Sequence, residues 1–114
     1  MALKKTLQFS YMSVEQEIVC GPDSISGMNA SLDRLGVSRP MVVCGPNILR
    51  ESNVVPRVQE ALGERCVGLF SGVEPHSPME VVYEAGAMAR ELRPDALVSV
   101  GGGSTHDTCK GIAI

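Results

Sequence analysis

Residues 96–110 read ALVSVGGGSTHDTCK, and this stretch decides the fold of the chain. An apolar run of strand length ends at three consecutive glycines, and Ser104 then opens a segment that we predict to be helical. A glycine turn between a strand and a helix presents bare backbone N–H groups, and the positive end of the helix dipole favours an anion there. Because glycine has no Cβ, a phosphate can approach its backbone closely. The stretch therefore predicts a phosphate-binding turn.

The alternative is that Gly101–Ser104 is only a tight turn with a good helix cap. Asp107 follows Ser104 by three residues and can form a capping box with it, which is a common structural motif. Two familiar phosphate-binding motifs do not match the spacing. A Walker-type loop ends in Gly-Lys-Ser/Thr, whereas Lys110 lies inside the predicted helix, and the usual dinucleotide fingerprint has glycine where this chain has His106. We interpret His106 as a residue of the helix start and not as a ligand.

Upstream of the turn, short apolar runs alternate with amphipathic segments. We predict buried strands at 40–44, 66–70 and 96–100, and helices at 24–35, 53–62, 77–92 and from 104 onward. Two weaker candidate strands, at 6–11 and 15–20, can pair as a hairpin or as edge strands. This alternation is typical of an α/β domain with a parallel sheet and helices on both faces. The 114 residues are therefore read as one domain.

Local signals place several helix ends. The first helix carries an apolar stripe of Ile25, Met28, Leu32 and Leu35, and Gly36 is placed to close it in a left-handed conformation. Prolines fit only the first turn of a helix, which predicts a turn starting at Pro46 and a separate helix with Pro56 near its start. Ser77 and Glu80 have capping-box spacing, with Pro78 as the first helical residue.

Four loops follow the predicted strands: 21–23, 45–47, 71–76 and 101–107. In a parallel sheet, ligands bind beyond the carboxyl ends of the strands. We therefore expect all four loops to converge at one edge of the sheet.

Composition excludes several functions. A net charge of −3 and the lack of tryptophan disfavour nucleic-acid binding. The four cysteines form no C-x-x-C pair, which favours reduced, mostly buried thiols. The N-terminus has no apolar segment typical of a secretory signal, and no run approaches the roughly 18 apolar residues of a membrane span. We expect a cytoplasmic protein without nucleic-acid or membrane partners.

The pattern Gly101-Gly102-Gly103-Ser104-x-x-Asp107-x-x-Lys110 resembles the cofactor signature of the iron-containing (group III) alcohol dehydrogenases. The resemblance extends from about residue 17 to 114 and includes the loop at 73–76. It implies a Rossmann-like domain, similar to the N-terminal domain of dehydroquinate synthases, that binds NAD or NADP. It also implies a second, helical domain that holds iron, or another divalent metal such as zinc, and that these 114 residues lack. Family members further suggest a homo-oligomer.

The resemblance assigns cofactor-binding roles but no catalytic or metal-ligating residue within this chain. Gly102, Gly103 and Ser104 match the pyrophosphate-binding turn, and Asp107 matches an acid near the nicotinamide ribose. Gly101 and Thr105, which flank these three turn residues, are also expected to be cofactor-binding. Gly45 matches the strand end at the adenosine ribose. An aspartate there selects NAD, so its absence leaves NADP open. His76 replaces a common asparagine of the family loop and resembles the maleylacetate reductase branch, although an exposed loop histidine is the alternative.

The leading hypothesis is an oxidoreductase that moves a hydride between NAD(P)H and the carbon of a small alcohol, aldehyde or ketone. In such an enzyme the metal polarises the substrate oxygen, and the protein positions the nicotinamide. A maleylacetate reductase-like enzyme is one alternative, and a nucleotide-binding module without catalysis is another. A third interpretation is an α/β interaction domain that binds no phosphate. We expect the 114 residues alone to have little or no dehydrogenase activity.

Overall fold

The computed structural model of the chain describes Ser10 and residues 16–114. Within this range three parallel strands form a sheet in the order β2-β1-β3, and they are β1 (Pro40–Cys44), β2 (Gly68–Phe70) and β3 (Ala96–Val100). The central strand pairs Val42 with Leu69 on one side and with Val98 on the other. The predicted parallel α/β fold is confirmed, with β2 starting two residues later than predicted.

Helices cover both faces of this sheet. They are α1 (Met28–Arg34), α2 (Pro46–Glu51), α3 (Val54–Leu62), α4 (Met79–Leu92) and α5 (Gly103–Ala113), with 3-10 turns at Ser24–Gly27 and Gly63–Arg65. Val42 and Cys44 pack with α1 and α3, whereas Met41 and Val43 pack with α4 and α5. Successive strand residues point to opposite faces, so a central strand covered on both sides is apolar throughout. No helix in the described part of the chain is long and apolar enough to cross a membrane.

Several of the predicted helix ends are confirmed, but the predicted start of the first helix at residue 24 is wrong, because α1 begins at Met28 after the 3-10 turn over Ser24–Gly27. Pro46 is the first residue of α2, and Pro56 lies in the first turn of α3. Gly36 has a φ of 73°, the left-handed conformation expected after α1. The prediction that Leu35 is buried is wrong, because α1 ends at Arg34 and the Leu35 side chain is 69% exposed. Val37, just beyond the turn, packs against the core in its place.

The predictions for the first strands have a different outcome. The candidate strand at 6–11 lies outside the described residues, apart from Ser10. Residues 16–20 are described and form no strand, so the prediction of a strand at 15–20 is wrong over that range. All five residues are exposed, and a loosely alternating segment without a buried side has nothing to hold it in a sheet.

Candidate functional site

The strand order creates a crevice at one edge of the sheet. The carboxyl ends of β1 and β3 are neighbours, with Cys44 opposite Val100. The chain leaves them toward opposite faces, because α2 and α3 pack on the face of Val42 whereas α5 packs on the face of Val43. Such a divergence, at a topological switch point, is where open α/β sheets bind ligands.

A cleft of about 540 Å³ lies at this position. Three of the four loops expected to converge form its walls, and the lining residues are Gly45, Pro46, Asn47, Ile48, Val54, Val73, Glu74, Pro75, Val100, Gly101, Gly102, Ser104 and Thr105. The expectation for the loop at 21–23 is wrong, because no strand precedes it in the described residues. Asp23 instead pairs with Arg57 on α3, at 3.0 Å between carboxylate and guanidinium.

The three glycines of the turn differ in what surrounds them. Gly101 has a φ of 147°, and a Cβ added to it would lie 2.5 Å from Oγ1 of the buried Thr105. A Cβ added to Gly102 or Gly103 would meet no described atom within 4 Å. The chain therefore needs Gly101 for its own backbone geometry, while the space beside Gly102 and Gly103 is open to a ligand.

Helix α5 begins at the third glycine of the turn, Gly103, and the second glycine, Gly102, is its N-cap residue. The first amide of the helix with a backbone partner is that of His106, which donates to the Gly102 carbonyl at 3.2 Å. The N–H groups of Gly103, Ser104 and Thr105 have no acceptor among the described residues, as expected for a helix start. Two of these residues, Ser104 and Thr105, line the cleft, so the positive end of the dipole of the 11-residue helix lies at its wall.

The capping box predicted for Ser104 and Asp107 is wrong, because α5 starts at Gly103 and Ser104 already lies within its first turn. Asp107 is exposed, and its carboxylate lies 3.8 Å from the ammonium group of Lys110.

Loop 71–78 closes the cleft from the other side. The Val73 N–H donates to the Cys44 carbonyl at 3.3 Å, which ties the loop to the end of β1. The His76 N–H donates to Oγ of Ser104 at 3.2 Å, and the Ser77 hydroxyl donates to the Ser104 carbonyl at 2.8 Å. The capping box predicted for Ser77 is therefore wrong, since Pro78 is the N-cap of α4 and the Ser77 hydroxyl bonds to α5 instead.

The structure brings together part of the predicted site. Gly45, Gly101, Gly102, Ser104 and Thr105 line the cleft. The remaining three predicted residues, Gly103, His76 and Asp107, lie beside the cleft wall and not in it.

Other wall residues were not among the predicted site residues. Asn47 accepts a hydrogen bond from the Arg50 guanidinium at 2.7 Å, and the exposed Glu74 also lines the cleft. Thr108 is fully buried behind the turn, and its hydroxyl donates to the Ser104 carbonyl at 2.8 Å. The family resemblance pointed to residues 73–76 as a group, but no sequence pattern distinguishes Thr108 from an ordinary core residue.

Other features of the described residues lie away from this cleft. His106 uses Nδ1 in a 2.6 Å hydrogen bond with the Ser99 hydroxyl, which gives it a structural partner. A larger cleft of about 780 Å³ lies between α4 and α5 at the amino end of β3, and it holds none of the predicted site residues. No group of three or more His, Cys, Asp or Glu side chains in the described part of the chain is arranged to hold a metal ion.

The fold and the cleft define a parallel α/β domain with a ligand crevice at its switch point. The family model for iron-containing alcohol dehydrogenases matches residues 15–114. The chain belongs to this family.

Individual relatives agree with the family assignment. The chain is 32% identical over 108 residues to a maleylacetate reductase from Sphingobium indicum, which covers 95% of the chain and 30% of the relative. The crystal structure of maleylacetate reductase from a Rhizobium species superposes with a TM-score of 0.78 at 34% identity, over 93% of this chain and 29% of that one. The crystal structure of an NADH-dependent butanol dehydrogenase from Thermotoga maritima superposes with a TM-score of 0.73 at 26% identity. The match covers 82% of this chain and 24% of that one. The chain thus spans less than a third of the length of each relative.

Proposed function

We propose that the cleft between β1 and β3 binds NAD or NADP, and that the chain is the cofactor-binding part of an oxidoreductase that interconverts an alcohol and an aldehyde or ketone. The observation that carries this proposal is the open space beside Gly102 and Gly103, together with the free amides at the start of α5. A diphosphate needs close backbone approach and N–H donors, and both are present at this turn. The relative from Thermotoga, named as NADH-dependent, supports the choice of ligand.

We propose that different residues of the cleft contact different parts of the cofactor. The amides of Gly103, Ser104 and Thr105 would hold the diphosphate, and Gly45 would face the adenosine ribose. Gly45 brings no carboxylate to repel a 2′-phosphate, and the Arg50 guanidinium lies one hydrogen bond away at Asn47, so NADP is proposed alongside NAD. A dinucleotide held by these residues would supply the hydride-transfer chemistry of the proposed reaction.

His76 and Asp107 are proposed further along the cofactor, toward the nicotinamide ribose. The resemblance suggests this placement, and the bond between the His76 amide and Ser104 brings His76 next to the turn.

Iron does not fit the described residues, which hold no suitable cluster of ligands. The proposal therefore assigns no metal-dependent step to this chain. A divalent metal and a homo-oligomeric assembly are both suggested by the resemblance, and we propose them without assigning either to a residue of this chain.

A fluorescence titration tests the cofactor site. NADH and NADPH are each titrated with the chain, and binding is expected to change their emission. Gly102→Val is expected to weaken binding by at least about tenfold, because the valine side chain would fill the open space beside the turn and keep the diphosphate from an amide donor. A hydrogen bond to a charged group contributes about 1.5–3 kcal/mol. Gly27→Val is the control, since Gly27 is also a helix N-cap with open space around its Cβ position, and its backbone is helical (ψ 0°) where that of Gly102 is extended (ψ −155°).

The titration also decides between the alternatives. If neither dinucleotide binds the unaltered chain, the site does not serve NAD(P) and the proposal fails. If the two valine variants weaken binding equally, the effect comes from altered helix caps and not from the cleft.

A maleylacetate reductase-like activity is the second candidate, favoured by the relatives of that name. NADH or NADPH oxidation is measured with maleylacetate and, separately, with a simple aldehyde, with and without Fe²⁺ or Zn²⁺. We expect the 114 residues to bind the cofactor without turnover. Turnover of either substrate would show that they hold the whole catalytic machinery.

A further inference from the structure

The loop that faces the glycine turn holds two consecutive residues in the left-handed region. His76 has a φ of 64° and Ser77 a φ of 47°. Residues with a Cβ rarely adopt this conformation, and two in succession persist only where surrounding contacts offset the cost.

Those contacts meet at one residue of α5. The Ser77 hydroxyl donates to the Ser104 carbonyl oxygen at 2.8 Å, and the His76 N–H donates to Ser104 Oγ at 3.2 Å. From the core side, the fully buried Thr108 donates to the same carbonyl at 2.8 Å, with its hydroxyl 3.2 Å from that of Ser77. Ser104 is therefore held through both its carbonyl and its side chain.

The geometry of the peptide bond connects this contact to the cleft. The peptide that joins Ser104 to Thr105 is planar and trans, so its N–H points away from its C=O. Two hydroxyls hold the carbonyl end of this peptide behind the turn. The opposite end is the Thr105 N–H, one of the three free amides at the start of α5. Fixing the carbonyl therefore fixes the direction of a donor that faces the cleft.

We propose that Ser77 is a positioning residue for the diphosphate of the dinucleotide. Its hydroxyl, together with that of Thr108, fixes the Ser104–Thr105 peptide so that the amide donors keep their aim when no ligand is present. The left-handed backbone of Ser77 is what brings its hydroxyl to α5. This inference rests on the proposed binding of NAD(P) in the cleft, and it adds a residue that lies outside the cleft wall.

The test compares a ligand that has the diphosphate with one that lacks it. The affinities of the 114-residue chain for ADP-ribose and for adenosine are measured by NMR titration, for the unaltered chain and for Ser77→Ala and Ser77→Gly. Both variants are expected to weaken ADP-ribose binding by roughly two- to twelvefold, the range of one hydrogen bond. Adenosine binding is expected to stay the same, which a general loss of structure would not allow.

Two further variants guard against a folding defect. Thr108→Val removes the second hydroxyl while keeping the shape of the side chain, and Thr108→Ser restores the hydroxyl. We expect Thr108→Val to lower the ratio of ADP-ribose to adenosine affinity and Thr108→Ser to restore it. Ser26→Ala is the matched control, because the Ser26 hydroxyl also bonds a carbonyl, that of Asp23, at 2.8 Å but away from the cleft.

Each outcome bears on the proposal. An equal loss of both ligands in the Ser77 variants, or no loss of ADP-ribose, would overturn it, as would a failure of Thr108→Ser to restore the ratio. If the unaltered chain binds neither NADH nor ADP-ribose, the proposed function and this inference fail together. If it binds them and the Ser77 variants bind equally well, only the positioning role is wrong.

Discussion

Replacing Gly101 with alanine is expected to destabilise the fold through two separate costs. The φ of 147° lies in a region that is nearly exclusive to glycine, and forcing another residue into it costs about 1–3 kcal/mol. The new Cβ would also lie 2.5 Å from Oγ1 and 3.2 Å from Cβ of Thr105, whose buried side chain has little room to move. Overpacking of this kind costs about 1–3 kcal/mol. The sum, about 2–6 kcal/mol, is a large part of the 5–15 kcal/mol that stabilises a typical domain.

Urea unfolding followed by circular dichroism measures the total, and a double-mutant cycle separates its parts. Thr105→Ala removes the oxygen that the new methyl group would contact. In the double variant the backbone cost remains and most of the overpacking is gone. The two substitutions should therefore be coupled by about 1–3 kcal/mol.

Gly103→Ala serves as the control, because its added Cβ meets no described atom within 4 Å and its φ is not positive. The reasoning is refuted if Gly101→Ala costs less than about 0.5 kcal/mol, the usual range of a neutral surface change. A cost equal to that of Gly103→Ala would refute it as well.

Three further expectations follow from the same structure. Gly103→Ala should raise the free energy of unfolding by up to about 1 kcal/mol, as in other helices, yet weaken NADH binding. If the free energy of unfolding and the NADH affinity rise or fall together, the space beside Gly103 is not a ligand site. The Ser38 N–H bonds the Asp95 carboxylate and, together with further hydrogen bonds, lowers the pKa of that carboxyl. Stability should therefore fall as pH drops below about 4, and Asp95→Asn should remove that part of the acid sensitivity in urea unfolding curves. Among the thiols, the exposed Cys20 should react first with a thiol reagent and the buried Cys44 last, since burial also raises the pKa of the Cys44 thiol; equal rates would contradict the described burial.

The strands of the sheet were predictable where they form a continuous apolar run that is covered on both faces. The strands at 40–44 and 96–100 match their predicted bounds, because an apolar run followed directly by glycine marks both the strand and its end. The segment at 15–20 lacked such a run, and its alternation was too loose to indicate a strand. Pattern reasoning therefore succeeded for the buried strands and failed at the exposed start of the described range.

The two predicted capping boxes failed for a shared reason. Their spacing was correct, but Ser77 and Ser104 bond to each other's segments and not to their own helix starts. A local capping motif competes with tertiary hydrogen bonds for the same side chain. Sequence spacing indicates the local motif but not the tertiary partner. The glycine turn was predictable because its signal is entirely local. The topology rule also placed loop 71–76 at the carboxyl edge of the sheet, but it does not indicate that Val73, Glu74 and Pro75 in particular form the cleft wall.

The central place of β1 also governs the order in which the domain can assemble. Its first partner, β2, pairs Gly68 with Met41, and its second partner, β3, pairs Ala96 with Pro40. On the ribosome, β1 therefore emerges long before either neighbour, and its apolar side chains await partners that are still being synthesised. Contacts between residues so distant in sequence slow folding, because long loops must close first. The turn that follows β3 is synthesised after all three strands, and a ligand that binds this turn would favour the completed sheet by mass action.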